Sequence, residues 1–188
     1  MVDAARQVFV EKGFLESSVA DIVERAGVAH GTFYHYFESR EDVLREIAED
    51  ADQRLNALMG EMVLHRSPGV SPSQRIRDGV RALLVAYAAQ AQIMAVLEEA
   101  SRYNGHIGAQ RDARLRHYID ELAASIRSLQ RRGLADKKLD PVLASAVLGC
   151  ITTRFPEIWM VRGVVETTLD DAAEQISRIF INALGLSE

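Results

Sequence analysis

Apolar residues recur three or four positions apart along almost the whole chain, and a pattern with that period folds as helices. One stripe runs Leu44, Ile47, Ala51, Leu55, Leu58 and Met62, and a second Ile76, Val80, Leu83, Leu84 and Tyr87. A third runs Leu115, Ile119, Leu122, Ile126 and Leu129, and a fourth Leu169, Ala172, Ala173, Ile176, Ile179, Phe180, Ala183 and Leu184. No segment alternates convincingly with the period of two that a half-buried strand requires. The fold class read from this pattern is all-α, with about nine helices.

The punctuation agrees with it. Ser67-Pro68-Gly69-Val70-Ser71-Pro72 reads as a loop and Asn104-Gly105-His106 as a second break. Gly133 follows Gln130-Arg131-Arg132, which ends a helix with cations at its negative end. Asp140-Pro141 opens the next as N-cap and first helical residue, Gly163 closes it, and Thr168 or Asp170 opens the last.

Several function classes lose support at once. The chain has 188 residues and a single cysteine, so no intramolecular disulfide can form and a reducing compartment fits best. No apolar run reaches the roughly 18–20 residues of a membrane span, and the first residues lack a secretory pattern; a cytoplasmic protein is expected. His30, His35, His65, His106 and His117 have no metal-ligand spacing, Cys150 sits in an apolar segment and reads as inert, and no nucleophile motif or phosphate-binding glycine loop is present. Catalysis, a cofactor and a metal are therefore not expected. The net charge of −5 also counts against a nucleic-acid binder, which normally carries a basic footprint.

Residues 4–47 point the other way. Residues 4–12 read as a short helix with Ala5, Val8 and Phe9 on one face and Gly13 at its end. Ser18 followed by Asp21 is a variant capping box, and Val19, Ile22, Val23 and Ala26 form the inward face of a two-turn helix. Gly27 stands where the chain must turn sharply, Val28 is expected to pack the turn, and a second short helix covers about residues 29–36. Two short helices joined by a glycine turn make a helix-turn-helix, whose second helix enters the major groove. That second helix holds no acid. Ala29 and Gly31 permit close approach, and the imidazoles and hydroxyls can donate to phosphates or base edges. Phe33 and Phe37 are expected to face the core.

The run Ser18-Val-Ala-Asp-Ile-Val-Glu-Arg-Ala-Gly-Val-Ala-His-Gly-Thr-Phe-Tyr-His-Tyr-Phe-Glu-Ser-Arg-Glu-Asp-Val-Leu44 resembles the DNA-binding signature of the TetR family of regulators. The resemblance covers about 45 residues; beyond them it is one of layout, with Gly133-Leu134 and Leu139-Asp140-Pro141 similar to the approach to that family's dimerisation helices. It implies that Ser18, Tyr34 and Arg40 bind phosphates, that Thr32 touches a phosphate or base, and that His30 and His35 read the operator. Tyr36 stands where the family often has His, and Ala29 and Gly31 complete the surface. Two departures matter. Residues 1–50 carry five basic and eleven acidic side chains, a net −6. The chain also begins almost inside the first helix, where family members usually carry a basic arm. Glu38, Glu41 and Asp42 have a separate explanation, because acids are favoured at the start of a helix.

The domains expected are residues 1–46, which bind DNA, and residues 47–188, which bind an effector and dimerise. The segment 141–162 is apolar around much of its circumference and 170–184 mixes alanines with Ile and Phe; these two helices are either monomer core or, as the resemblance also implies, the halves of a homodimeric four-helix bundle, which is the expectation. Pro156 should kink the first of them near Thr152. Tyr87, Met94, Leu97, Tyr103, Tyr118, Leu122, Arg154, Phe155 and Trp159 are the effector-pocket candidates, suited to a hydrophobic or amphipathic molecule; each taken alone is also an ordinary core residue. The basic run from Arg111 to Lys138 reads as a solvated face or as a partner for an acidic ligand such as an acyl-CoA. The resulting expectation is a ligand-responsive repressor on a palindromic operator. A helical small-molecule binding module and a protein-interaction adaptor are the alternatives without DNA.

Overall fold

The computed structural model describes residues 1–64 and 69–186, so His65, Ser67 and Pro68 lie outside it. Among the described residues there are nine α-helices, one π-helical turn and no strand. They are α1 (Val2–Lys12), α2 (Val19–Ala26), α3 (His30–Phe33), α4 (Arg40–Leu64), α5 (Pro72–Ala88), α6 (Ala91–Tyr103), α7 (Gly105–Arg131), α8 (Pro141–Pro156), the π turn Glu157–Val161 and α9 (Leu169–Leu184).

Local chemistry sets most of these boundaries. Ser71, Asp140 and Thr168 each accept a backbone N–H three residues on, from Gln74 at 3.1 Å, Leu143 at 2.8 Å and Asp171 at 3.1 Å. Such caps satisfy N–H groups that have no partner within the helix. Pro72 and Pro141 follow two of them, where a missing N–H costs nothing. The segment 141–162 is not one continuous α-helix. Pro156 ends α8, and the chain passes into the π turn, where Arg162 N–H reaches back five residues to Glu157 O at 3.0 Å. The α-helical ladder is thus interrupted beyond the proline by a π turn, a local adjustment of the kind found within helices.

The chain packs as two units, and the division does not follow a single cut in the sequence. The first comprises Met1–Gln53 together with Gln90–Arg111, the second Arg54–Ala89 with Asp112–Glu188. In the first, Phe9, Ile22, Phe33, Leu44 and Ile47 are sealed from solvent, and Ile93, Val96, Leu97 and Ala100 of α6 belong to the same core. In the second, α5 packs along α9, and Val80, Leu84, Ile126, Leu148 and Phe180 form the centre. Gly149 of α8 lies against the Tyr118 ring so closely that an added Cβ would stand 3.2 Å from it. The Tyr118 hydroxyl is buried beside Thr152, and burial pushes its pKa up to about 12 against the opposing influence of the Thr152 hydroxyl.

Candidate nucleic-acid interface

The interface is built on α2 and α3. Ser18 and Asp21 close a reciprocal capping box: Ser18 Oγ accepts the Asp21 N–H at 3.2 Å, and Asp21 Oδ2 accepts the Ser18 N–H at 2.9 Å. Lys12 Nζ donates to the other carboxylate oxygen at 2.5 Å. These bonds hold the Asp21 carboxyl down at about 2, with the Lys12 contact the largest cause and Ser18 next. A free aspartate titrates near ~3.9, so the folded value is depressed. The contribution to stability is therefore full above about pH 4 and is lost as the pH falls through about 2. Asp21→Asn is expected to lower the melting temperature at pH 6 and to leave it unchanged near pH 2; an equal loss at both values would remove the carboxylate from the argument.

After α2 the chain reverses at Gly27, whose φ of 66° lies in the left-handed region that a side chain resists. Val28 is turned outward by that reversal and stands 38% exposed, so it does not pack the turn as expected. From residue 27 to 36 only Phe33 is buried and Thr32 half-buried; Ala29, His30, Gly31 and His35 are exposed, as is Ser18 at the cap. Tyr34 is 55% and Tyr36 72% exposed. The buried Phe33 anchors this surface, with Phe37 half-buried at 5.8 Å between ring centroids and Tyr34 edge-on at 5.4 Å. Eight of the nine residues expected at DNA thus lie on or beside one turn-and-helix element and its preceding cap.

Arg40, the ninth, faces elsewhere. Its Nη1 donates to the carbonyl oxygens of Phe14 at 2.8 Å, Leu15 at 3.2 Å and Ser17, and its guanidinium lies 4.6 Å from the Phe14 ring centroid. The other cations of the first fifty residues are also held internally. Arg6 pairs with Asp50 at 2.9 Å, Lys12 with Asp21, Arg25 with Glu11 at 2.5 Å and Arg45 with Asp42. The acids at the start of α4 serve the helix: Asp42 accepts the Glu38 N–H at 3.1 Å and donates its own N–H to Ser39 Oγ at 3.2 Å.

The family model described as bacterial regulatory proteins of the tetR family matches residues 1–47. The likeness to the TetR family is carried by that N-terminal segment, a quarter of the chain. Over 44 residues it is 48% identical to the fatty acid metabolism regulator protein of Bacillus subtilis, covering 23% of each chain. Over 50 residues it is 46% identical to the HTH-type transcriptional regulator YvdT of the same organism, 27% of this chain and 26% of that one. The matched segment therefore spans about a quarter of the length of these curated relatives. The fold likeness is longer: the structure of the regulator FadR from Bacillus subtilis in complex with stearoyl-CoA superposes with a TM-score of 0.78, covering 97% of this chain and 96% of that one at 20% identity.

The effector-pocket candidates of this chain are divided between the two units. Tyr87, Tyr118 and Leu122 are buried in the second unit, where Phe155 and Trp159 are half-buried with ring centroids 6.0 Å apart. Met94 and Leu97 belong to the first unit, with Leu97 inside its core, and Tyr103 in that unit is exposed. Arg154 is exposed and pairs with the buried Glu157. Arg154 and Phe155 line an open groove of about 650 Å³ between α8 and α9, together with Val147, Ile158, Ala172 and Ile179. Cys150 is exposed in the same groove. Composition could not have shown this groove, because it depends on which sides of two helices are left uncovered.

Proposed function

We propose that the protein is a homodimeric regulator that binds an inverted-repeat operator and releases it when a small hydrophobic or amphipathic effector binds the larger domain; it acts as a repressor. The observation that carries the reading is the α2–α3 surface. Ser18, Ala29, His30, Gly31, Thr32, Tyr34, His35 and Tyr36 present hydroxyls, imidazoles and close-approach backbone on a rigidly capped element, within the segment the family model matches. Tyr34 and Ser18 would hold phosphates, and His30 and His35 would read base edges. The cytoplasm, where the DNA is, is the matching compartment.

Dimerisation is supported by α8 and α9. Val147 is 62% and Ile179 49% exposed, and Leu143 stands in water beside them. An apolar face of this kind on two neighbouring helices suits a two-fold four-helix bundle. A dimer would set two recognition helices about one DNA turn, ~34 Å, apart and so read a palindrome. Effector binding is supported by the stearoyl-CoA complex of the FadR relative, and by aromatic and hydroxyl groups in the second unit: the buried Tyr87, the buried Tyr118 beside Thr152, and the half-buried Trp159. The effector would act by favouring one of two dimer geometries.

Selection of bound duplexes from a random pool, by the folded chain at low and moderate salt, is the decisive experiment. The expected result is an inverted repeat. Since the Lys and Arg side chains of residues 1–50 already have internal partners, the logarithm of affinity should fall with that of salt with a slope of only about −2 to −4, corresponding to few neutralised phosphates. A folded dimer that enriches no sequence would overturn DNA binding and leave a small-molecule binding module.

A further inference from the structure

Between α1 and α2 lies a short loop, residues 13–18, whose last residue is the cap of α2. Its centre is the peptide of Phe14, and both ends of that peptide are held. The Phe14 N–H donates to Glu99 Oε2 of α6 at 3.2 Å, and the Phe14 carbonyl accepts from Arg40 Nη1 of α4 at 2.8 Å and from Ser17 Oγ at 2.7 Å. The same Arg40 nitrogen also donates to the carbonyls of Leu15 and Ser17, one residue before the cap. Phe14 itself is buried, edge-on to Phe9 at 5.6 Å, and the guanidinium covers its face. Gly13 leaves room for the carboxylate, since a Cβ there would stand 3.4 Å from Glu99 Oε2.

This geometry is hard to reconcile with a phosphate contact by Arg40. Nη1, whose two hydrogens are already shared among three carbonyl oxygens, would have to abandon the part-buried carbonyls of Phe14 and Ser17 as well as the exposed one of Leu15 to reach DNA, and unpaired buried acceptors are costly. We infer that Arg40 and Glu99 are positioning residues: together they clamp the loop that places Ser18, and through the Ser18–Asp21 cap they fix the orientation of α2 and the recognition surface. The inference rests on the DNA-binding reading for its consequence, but the clamp itself is a property of the fold. Glu99 lies far along the sequence from the helix-turn-helix it supports, and its role is one that no local motif announces.

The test combines operator affinity across salt concentrations with amide exchange over residues 14–21, using the full-length dimer and the duplex recovered by selection. Arg40→Met is expected to weaken operator binding about tenfold or more at every salt concentration, the scale of losing a charged hydrogen bond, with the salt slope unchanged. Its amides at residues 14–21 should exchange about tenfold faster as the loop opens locally. Glu99→Ala should show the same signature with a smaller loss, and Glu99→Gln should restore the parent behaviour because its amide oxygen still accepts the Phe14 N–H. A salt slope shallower by about 0.9 in Arg40→Met, with exchange unchanged, would make Arg40 a phosphate contact and overturn the inference. Faster exchange with undiminished affinity would overturn it equally. Were the parent chain to select no DNA, the DNA-binding reading would fall separately. Exchange alone would then decide the clamp: unchanged exchange in both Arg40→Met and Glu99→Ala would reject it, and faster exchange in both, reversed in Glu99→Gln, would uphold it.

Discussion

Val147→Glu combined with Ile179→Glu is expected to convert the proposed dimer into a folded monomer that has lost at least about a hundredfold in operator affinity. Both side chains are more than two-fifths exposed, one on each wall of the α8–α9 groove. Surface substitutions away from core or capping features change stability little, so the single chain should keep its helices and its melting transition. In a two-fold bundle the same positions would be buried in pairs, and each substitution would place a carboxylate in an apolar interface without a counter-charge, a cost of several kcal/mol. The loss of affinity follows from linkage: once one recognition helix is docked, the other is held at high effective concentration only by the bundle. Analytical sedimentation would read the first effect as a mass near 20.9 kDa, and titration of a full palindrome against a half-site the second. A double variant that still sediments as the parent dimer would place the interface elsewhere.

Phe33→Ala is expected to have the largest effect on stability, about 3–5 kcal/mol in the first unit, the range for deleting a buried aromatic ring. The ring is fully buried and is the sole buried side chain of α3, which is four residues long. So short a helix has almost no stability of its own; it holds because Phe33 inserts among Phe9, Ile22 and Leu44 and because Phe37 and Tyr34 pack on its edges. Without the ring, α3 should fray, and the exposed hydroxyls and imidazoles around it should lose their fixed spacing. Calorimetry would show an early transition ahead of that of the second unit, and operator binding should vanish although no DNA-facing atom was removed. A variant that melts like the parent would mean that the α3 surface is organised by something other than this anchor.

The elements easiest to read from sequence were those whose boundaries are set by neighbours in the chain. Ser18 with Asp21, Gly27, Asp140 with Pro141, and Thr168 act within a few residues, and the structure has them as caps and turns. The break between α5 and α6 carries no proline or glycine: the chain passes it at Ala89 and Gln90. Arg40 could not be assigned from its position in a motif alone, since a guanidinium can serve a phosphate or a carbonyl and only the course of the 13–18 loop brings three carbonyls within its reach. The pocket candidates were chosen for residue type alone, and type does not separate Leu97, buried under the helix-turn-helix, from Leu122, buried in the other unit.

The core beneath the recognition element includes Ile93, Val96, Leu97, Ala100 and Ile107. A ribosome making this chain therefore releases the whole helix-turn-helix long before the side chains that complete its interior exist. Until residue 107 has emerged, some sixty residues after the helix-turn-helix, Phe9, Phe14 and Ile47 have no α6 to cover them, and the nascent segment must wait with an open hydrophobic side. The same dependence means that a gene fragment ending after α4 would not encode a transplantable reading head; a chimera would have to bring the face of α6 with it.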